Sequence, residues 1–173
     1  MGLSLRARLV VLFFAGSFAY SWYWAQFESP RAKMAAAHAE GYSRCEPDRV
    51  IPIRVSVSKY PDNWRHIVDA RHGRNTLSDG KTIVDDGKRW PVVLVKNDTG
   101  EDQRRQAAFR LAGVTKTRPG KARDEYPPAE GRSTNAADIR YVPARPNGAQ
   151  GASMGGQLRP YCNGQRYRLV AAP

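Results

Sequence analysis

Sulfur and imidazole are scarce in this chain of 173 residues, which holds only two cysteines and three histidines. His38, His66 and His72 are scattered, and Cys45 stands far from Cys162. No Cys/His spacing suited to tetrahedral zinc exists, so a zinc site is not expected. Acidic residues are also few. Sixteen Asp and Glu face twenty-eight Lys and Arg, and no acid lies beyond Asp138. Internal repeats are absent. What is present suits one compact, loop-rich domain: 41% hydrophobic residues exclude wholesale disorder, and 15 Gly and 12 Pro supply turns. The formal charge of +12 favours polyanionic partners: nucleic acid, anionic lipid or anionic wall polymer. Charge alone does not choose among them.

The N-terminus bears on compartment. Arg6 and Arg8 precede the apolar run Leu9 to Ala15, and small residues follow at Ser17 and Ala19, as before a signal-peptidase cut. The alternative is an uncleaved anchor over residues 9–25, slightly short of a span of roughly 20, with Trp22, Tyr23 and Trp24 at the interface. Either way the remainder is extracytoplasmic. The sequence divides into a signal or anchor at 1–27, a helical spacer at 28–47 and a globular domain at 48–173. In the spacer Ser29 caps a helix, Pro30 takes its first position and Gly41 stops it. In an oxidising compartment Cys45 and Cys162 can pair and tie the domain's two ends, stabilising it by roughly 4–5 kcal/mol in the chain-entropy model. Two free thiols are the other possibility.

Within the domain Ile51, Ile53, Val55 and Val57 alternate with Pro52, Arg54 and Ser56, as in a half-buried strand. Residues 60–70 place Trp64, Ile67 and Val68 on one helical face, with Gly73 as the stop. Residues 74–90 read as a loop with a possible hairpin. Pro91 to Val95 is a continuous apolar run, expected to be a strand covered on both faces. Asp98 or Thr99 can cap a helix from Glu101 to Ala112 with Ala108, Leu111 and Ala112 on one side. Thr115 to Arg123 reads as a basic loop, Ile139 to Val142 as a strand, and Arg166 to Val170 as the last strand. Only a weak helix is expected inside the Gly- and Gln-rich residues 148–161. The class is α+β, a small mixed sheet with packed helices in a single domain.

Two segments carry possible chemistry. Arg123-Asp124-Glu125-Tyr126-Pro127-Pro128-Ala129 reads as a rigid turn presenting a carboxylate to a cleft. Such a group can take the proton of an attacking water, while a metal offsets charge building on a phosphate. The second segment runs from Pro146 to Leu158. Its small residues admit a ligand closely, and Asn147, Gln150 and Gln157 offer amide oxygens of the kind hard divalent cations accept.

Tyr60-Pro61, His66-Ile67, Arg104-Arg105, Thr115-Lys116, Gly120, Arg123-Asp124-Glu125-Tyr126-Pro127, Asp138-Ile139-Arg140-Tyr141-Val142-Pro143 and Asn147 to Gly151 follow in order. The series resembles the NucA/NucB bacterial deoxyribonucleases over about residues 50–170. That resemblance implies a minimal ββα-metal site and an exported, monomeric endonuclease cutting DNA with little sequence preference, with Mg²⁺ or Mn²⁺ as cofactor. It makes Asp124 the general base, where related nucleases use histidine. Glu125 orients the turn or binds metal-bound water. Asn147 and Gln157 stand on the metal side. Arg123 and Arg140 contact phosphate, and Lys116, Arg118, Lys121 and Gln150 join them in holding DNA. One departure is plain: Gln157 occupies the helix position where an acidic metal ligand is expected. The competing reading is therefore a catalytically weak or inactive, membrane-tethered DNA binder of the same fold. A wall-polymer hydrolase or lectin needs paired carboxylates and stacking aromatics in a cleft, and the four Trp fall in the anchor or at core positions.

Overall fold

A computed structural model describes residues 41–173. The signal or anchor expected at 1–27 and the helix expected from Ser29 lie outside the described residues. Tyr42–Pro173 forms one compact unit, so it begins six residues ahead of Asp48. Its class is α+β, with three helices and small sheets. Among the described residues no helix is long and apolar enough to cross a membrane.

The first strand, β1 (Ile51–Ser56), follows its alternation: Ile51, Ile53 and Val55 are buried and Pro52 and Arg54 exposed. It pairs in parallel with the last strand, β7 (Arg166–Ala172), in the register Ile51 to Tyr167 and Ile53 to Leu169. On its other side β7 pairs antiparallel with β4 (Val93–Val95). The short strands β2 (Arg74–Thr76) and β3 (Ile83–Asp85) make a hairpin within the segment read as a loop. A second hairpin joins β5 (Lys121–Tyr126) to β6 (Asp138–Pro143). Between them a 3-10 turn spans Ala129–Gly131, after the cis peptide Tyr126–Pro127.

Helix α1 (Pro61–Arg71) starts on a proline whose fixed φ suits the first helical position, with Asp62 favourable to the dipole. The chain leaves it through Gly73 at φ +85, where an added Cβ would meet the Gly87 backbone at 2.9 Å. Only glycine fits there. Helix α1 buries Asn63, His66, Ile67, Asp69 and Ala70, while Trp64 and Val68 are only half-buried. The expected apolar stripe is thus displaced toward a polar one. Helix α2 (Glu101–Leu111) has Gly100 at its cap, not Asp98 or Thr99. Leu111 is 70% exposed, and the buried set is Arg104, Ala108 and Phe109. Arg104 replaces an apolar contact by tying down the carbonyls of Asn97, Thr99 and Ala129.

Helix α3 (Ala144–Leu158) is far longer than the weak helix expected. Its four glycines lower helix propensity by about 1 kcal/mol each relative to alanine. The narrow stripe Gln150, Met154 and Leu158, at intervals of four, restores the helix by packing on the core. The β4 strand also departs from expectation. It lies at a sheet edge, shorter than Pro91 to Val95, and only Leu94 is buried while Val93 and Val95 are exposed. One covered face, not two, is the reason.

The main core combines Ile51, Ile53, Val55, Leu94, Tyr167 and Leu169 from the sheet with Ile67, Ala70, Met154 and Leu158 from α1 and α3. A smaller core holds Ala108, Phe109, Val114 and Ile139 between α2 and the β5–β6 hairpin. The β1 edge is closed by a side chain. Gln157 accepts from the Arg54 amide at 2.8 Å and donates to its carbonyl at 2.9 Å, standing in for a neighbouring strand.

Cys45 and Cys162 form a disulfide with Cα atoms 5.2 Å apart. It joins the chain just ahead of β1 to the chain just ahead of β7, so it staples the start of the parallel pair. Closing a loop of 117 residues in sequence separation restricts the unfolded chain strongly. Replacing both cysteines by serine should cost about 2–5 kcal/mol, read as a lowered thermal midpoint. An unchanged midpoint would show that strand pairing alone holds these ends.

Candidate active site

The β5–β6 hairpin lies between α1 and α2, and strand alternation sends adjacent side chains of β5 to opposite sides. Asp124 and Glu125 are therefore not on a turn, as read from the sequence, but on a strand that divides their roles. Glu125 faces α2. Its carboxylate accepts from Arg105 Nε at 3.0 Å, from Arg132 at 2.8 Å and from the Ala129 amide at 3.2 Å. Every strong donor nearby is engaged, so Glu125 holds the turn after β5. Asp124 faces α1. One of its oxygens, Oδ2, meets His66 Nδ1 at 2.7 Å, and its other oxygen makes no hydrogen bond among the described residues.

His66 is wholly buried, and its Nε2 meets Asp138 Oδ2 at 2.9 Å. Burial works to lower the imidazole pKa, but the hydrogen bonds and charges of Asp124 and Asp138 outweigh it and the net shift is upward. Both ring nitrogens thus meet carboxylate oxygens, contacts that favour the protonated ring. Asp138 is fixed further by the Thr76 amide at 2.7 Å and its hydroxyl at 3.2 Å.

Arg140 sits across the hairpin from Asp124 in register. It is buried, and it donates to Asp69 at 2.8 Å and to Thr76 Oγ1 at 3.0 Å. Burial lowers its pKa, against the pull of Asp138 and Asp124. Arg140, expected to contact phosphate, is instead engaged by buried partners and is not an exposed cation. Arg123 donates to the Thr115 carbonyl at 2.9 Å, and its guanidinium lies 3.9 Å from the centre of the Phe109 ring.

A cavity of about 340 Å³ opens beside Asp124. Arg105, Arg123, Glu130, Asn147, Gly148, Gln150 and Gly151 help to line it. Asn147 Oδ1 accepts from Asn63 Nδ2 at 2.7 Å, while Asn63 Oδ1 is buried without a hydrogen-bond partner. The first turns of α3 carry no side-chain cap and no acidic residue. The Ala144 amide is bonded to the Gly120 carbonyl at 3.0 Å and Pro146 has none, so that end offers only the Arg145 and Asn147 amides. A Cβ at Gly148 or Gly151 would meet nothing, so these glycines leave that wall bare.

Gln157 is not part of this cavity. Seven residues beyond Gln150 it shares nearly the same face, but it lies about 10 Å further along the axis, where the β1 edge engages both ends of its amide. Its expected place on the metal side is corrected on that ground. Gln150 is buried against Met154 and lines the cavity instead. Lys116 and Lys121 are exposed, and Arg118 stacks on Tyr141 and donates to the Asp79 carbonyl at 2.9 Å. Lys121 to Arg123 are the start of β5, not loop.

No protein-family model matches the chain, and no curated protein does either. Among the described residues no group of three or more His, Cys, Asp or Glu is arranged to hold a metal ion.

Asn63, His66 and Asp138 were given no role in the sequence reading. A signal was present: Asn63 and His66 are polar residues three apart on the helical face that also carries Ile67 and Ala70. Polar groups on an inward face demand partners. What the sequence does not contain is which carboxylates supply them.

Glu130, in the cavity wall, has its carboxyl pushed up to about 7, first by burial and then by Glu101. A carboxyl whose folded pKa is raised binds more protons folded than unfolded. Its contribution to stability therefore falls as pH rises from about 4.5 to about 7. Glu130→Gln should remove that part of the slope and raise the thermal midpoint at pH 8 relative to wild type. Parallel pH–stability curves for the two proteins would contradict the burial assigned to Glu130.

Proposed function

We propose that this protein is an exported, metal-dependent endonuclease that hydrolyses DNA phosphodiester bonds with little sequence preference. The observation that carries the reading is Asp124: one oxygen is held by the buried His66 ring and the other is left without a partner beside a cavity flanked by arginine. A base needs this arrangement of orientation plus a free lone pair. The resemblance to the NucA/NucB deoxyribonucleases assigns the same residue the same role, and β5, β6 and α3 follow one another in the ββα order that such a site requires.

The donors at the cavity fit a hard divalent cation in kind. Asn147 and Gln150 offer neutral amide oxygens, and the unpartnered Asn63 oxygen marks unspent polar capacity next to Asn147. Asn147 and Gln150 would hold Mg²⁺ or Mn²⁺ with water completing the shell. Such an ion supplies charge to offset that building on the phosphate. Asp124 takes a proton from water, whose oxygen bonds to phosphorus as the bond to a deoxyribose oxygen breaks; the leaving oxygen takes a proton from solvent. His66 and Asp138 are positioning residues. Arg105 and Arg123 lie in the cavity wall, and the bare Gly148 and Gly151 allow a nucleic-acid backbone close to the surface of α3. Lys116, Lys121 and Arg118 extend the basic surface along the hairpin. The N-terminal apolar run accounts for export, as a cleaved signal or as a tether.

Neutral amides in place of a carboxylate favour a second reading, a DNA binder of this fold with feeble catalysis. Plasmid nicking with and without EDTA separates the two. We expect cleavage with Mg²⁺ or Mn²⁺ and none in chelator. Asp124→Asn keeps the shape and removes the base, so turnover should fall by roughly 10²–10⁴-fold with DNA affinity little changed. Full activity in a folded Asp124→Asn protein would end the assignment. Affinity for random-sequence duplex should also drop by orders of magnitude from low to physiological salt, through counterion release. A flat salt response would assign the basic charge elsewhere.

A further inference from the structure

The sheet formed by β1, β7 and β4 has one face in the core and one bare. Strand alternation and register place Pro52, Arg54, Arg166, Arg168, Val93 and Val95 on the bare side. Arg168 stands between Pro52 and Val93 across the three strands, and Arg166 lies beside Val95. Val93 and Val95 are 37% and 47% exposed. No acidic residue occurs in any of the three strands. None of the three guanidinium groups has an ion-pair or hydrogen-bond partner among the described residues. The face is cationic and aliphatic.

We propose that this face docks on an anionic phospholipid surface. Three unpaired arginines suit lipid phosphates, and the valines and proline between them suit the boundary of headgroup and acyl chain. A second copy of the chain is opposed by arginine meeting arginine. Single-stranded nucleic acid calls for aromatic platforms, and this face has none. Cys45 is bonded to Cys162, and Arg44 pairs with Tyr161. The chain that carries the apolar run Leu9 to Ala15 therefore joins the domain a few residues ahead of β7. Leu169, on the opposite side of β7, lines the cavity beside Asp124, so docking by the outer face leaves the cavity open to the aqueous side.

The test uses the full chain with vesicles of phosphatidylcholine alone or mixed with phosphatidylglycerol, read by co-sedimentation. Each arginine near an anionic surface contributes about a fivefold gain, so three give on the order of a hundredfold. We expect wild type to prefer the anionic vesicles by about that factor. Arg54→Gln/Arg166→Gln/Arg168→Gln should lose most of the preference and keep its binding to neutral vesicles, which the N-terminal apolar run can supply. A charge-matched control, Lys81→Gln/Lys116→Gln/Lys121→Gln, should keep the preference. Labelling wild type with an arginine-selective reagent needs no variant: anionic vesicles should protect Arg54, Arg166 and Arg168 and leave Arg110 reactive. The proposal is overturned if the face variant keeps its preference or the control loses as much. It is equally overturned if the three arginines stay reactive, or if the face variant loses duplex-DNA affinity instead of lipid preference.

Discussion

Between α1 and the β5–β6 hairpin the protein buries two carboxylates, Asp69 and Asp138, and half-buries a third, Asp124, and the rest of the site depends on how they are neutralised. An unpaired ion in such a place costs several kcal/mol, and pairing offsets this only with good geometry and further hydrogen bonds. His66 meets Asp124 and Asp138. Arg140 donates to Asp69 and lies 3.9 Å from Asp138, and Arg74 pairs with Asp69 from the surface. The network fixes the spacing of helix and hairpin. It also leaves one carboxylate oxygen, on Asp124, outside the balance and beside the cavity.

The two sides of the hairpin serve different ends because neighbouring strand residues face opposite ways. On the α2 side Glu125 binds Arg105 and Arg132, and Arg132 in turn donates to the Arg104 carbonyl at 3.3 Å. Arg104 reaches the turn at Ala129, whose neighbour Gly131 packs so close to the Tyr167 hydroxyl that a side chain would collide with it. Glu130 is carried on that same turn into the cavity wall. The Arg105–Glu125 ion pair and Glu130 thus form part of the wall of the same cavity that Asp124 borders. In the proposed hydrolysis, the rigid side supplies placement and the α1 side supplies the base.

The sheet adds a second polarity. Its inner face carries the core and reaches the cavity through Leu169, while its outer face presents arginine and valine to solvent. Binding at the two surfaces need not compete. The disulfide ahead of β7 holds Cys45 against that end of the sheet.

Strands with clean alternation were legible in the sequence: β1 and β7 stand close to where their apolar residues predict, and the Gly73 stop lies two residues past the end of α1. Asp124 was legible as a carboxylate worth watching because an acidic pair precedes an aromatic-Pro turn. Helix α3 was not, since four glycines erase a local signal that only packing of Gln150, Met154 and Leu158 restores. Nor was the fate of the cations. Arg140 and Arg104 are indistinguishable in sequence from surface arginines, and Gln157 reads as a ligand as readily as an edge cap. Composition and short-range pattern determined the α+β class, the basic character and the elements whose periodicity is local. Which carboxylates meet His66 and Arg140 and which amide meets Asn63 depended on contacts between residues 58 or more apart, while Arg104 is buried by carbonyls 5 to 25 residues away. Only tertiary structure decides these, because burying a charge is tolerated only where the fold brings its partner.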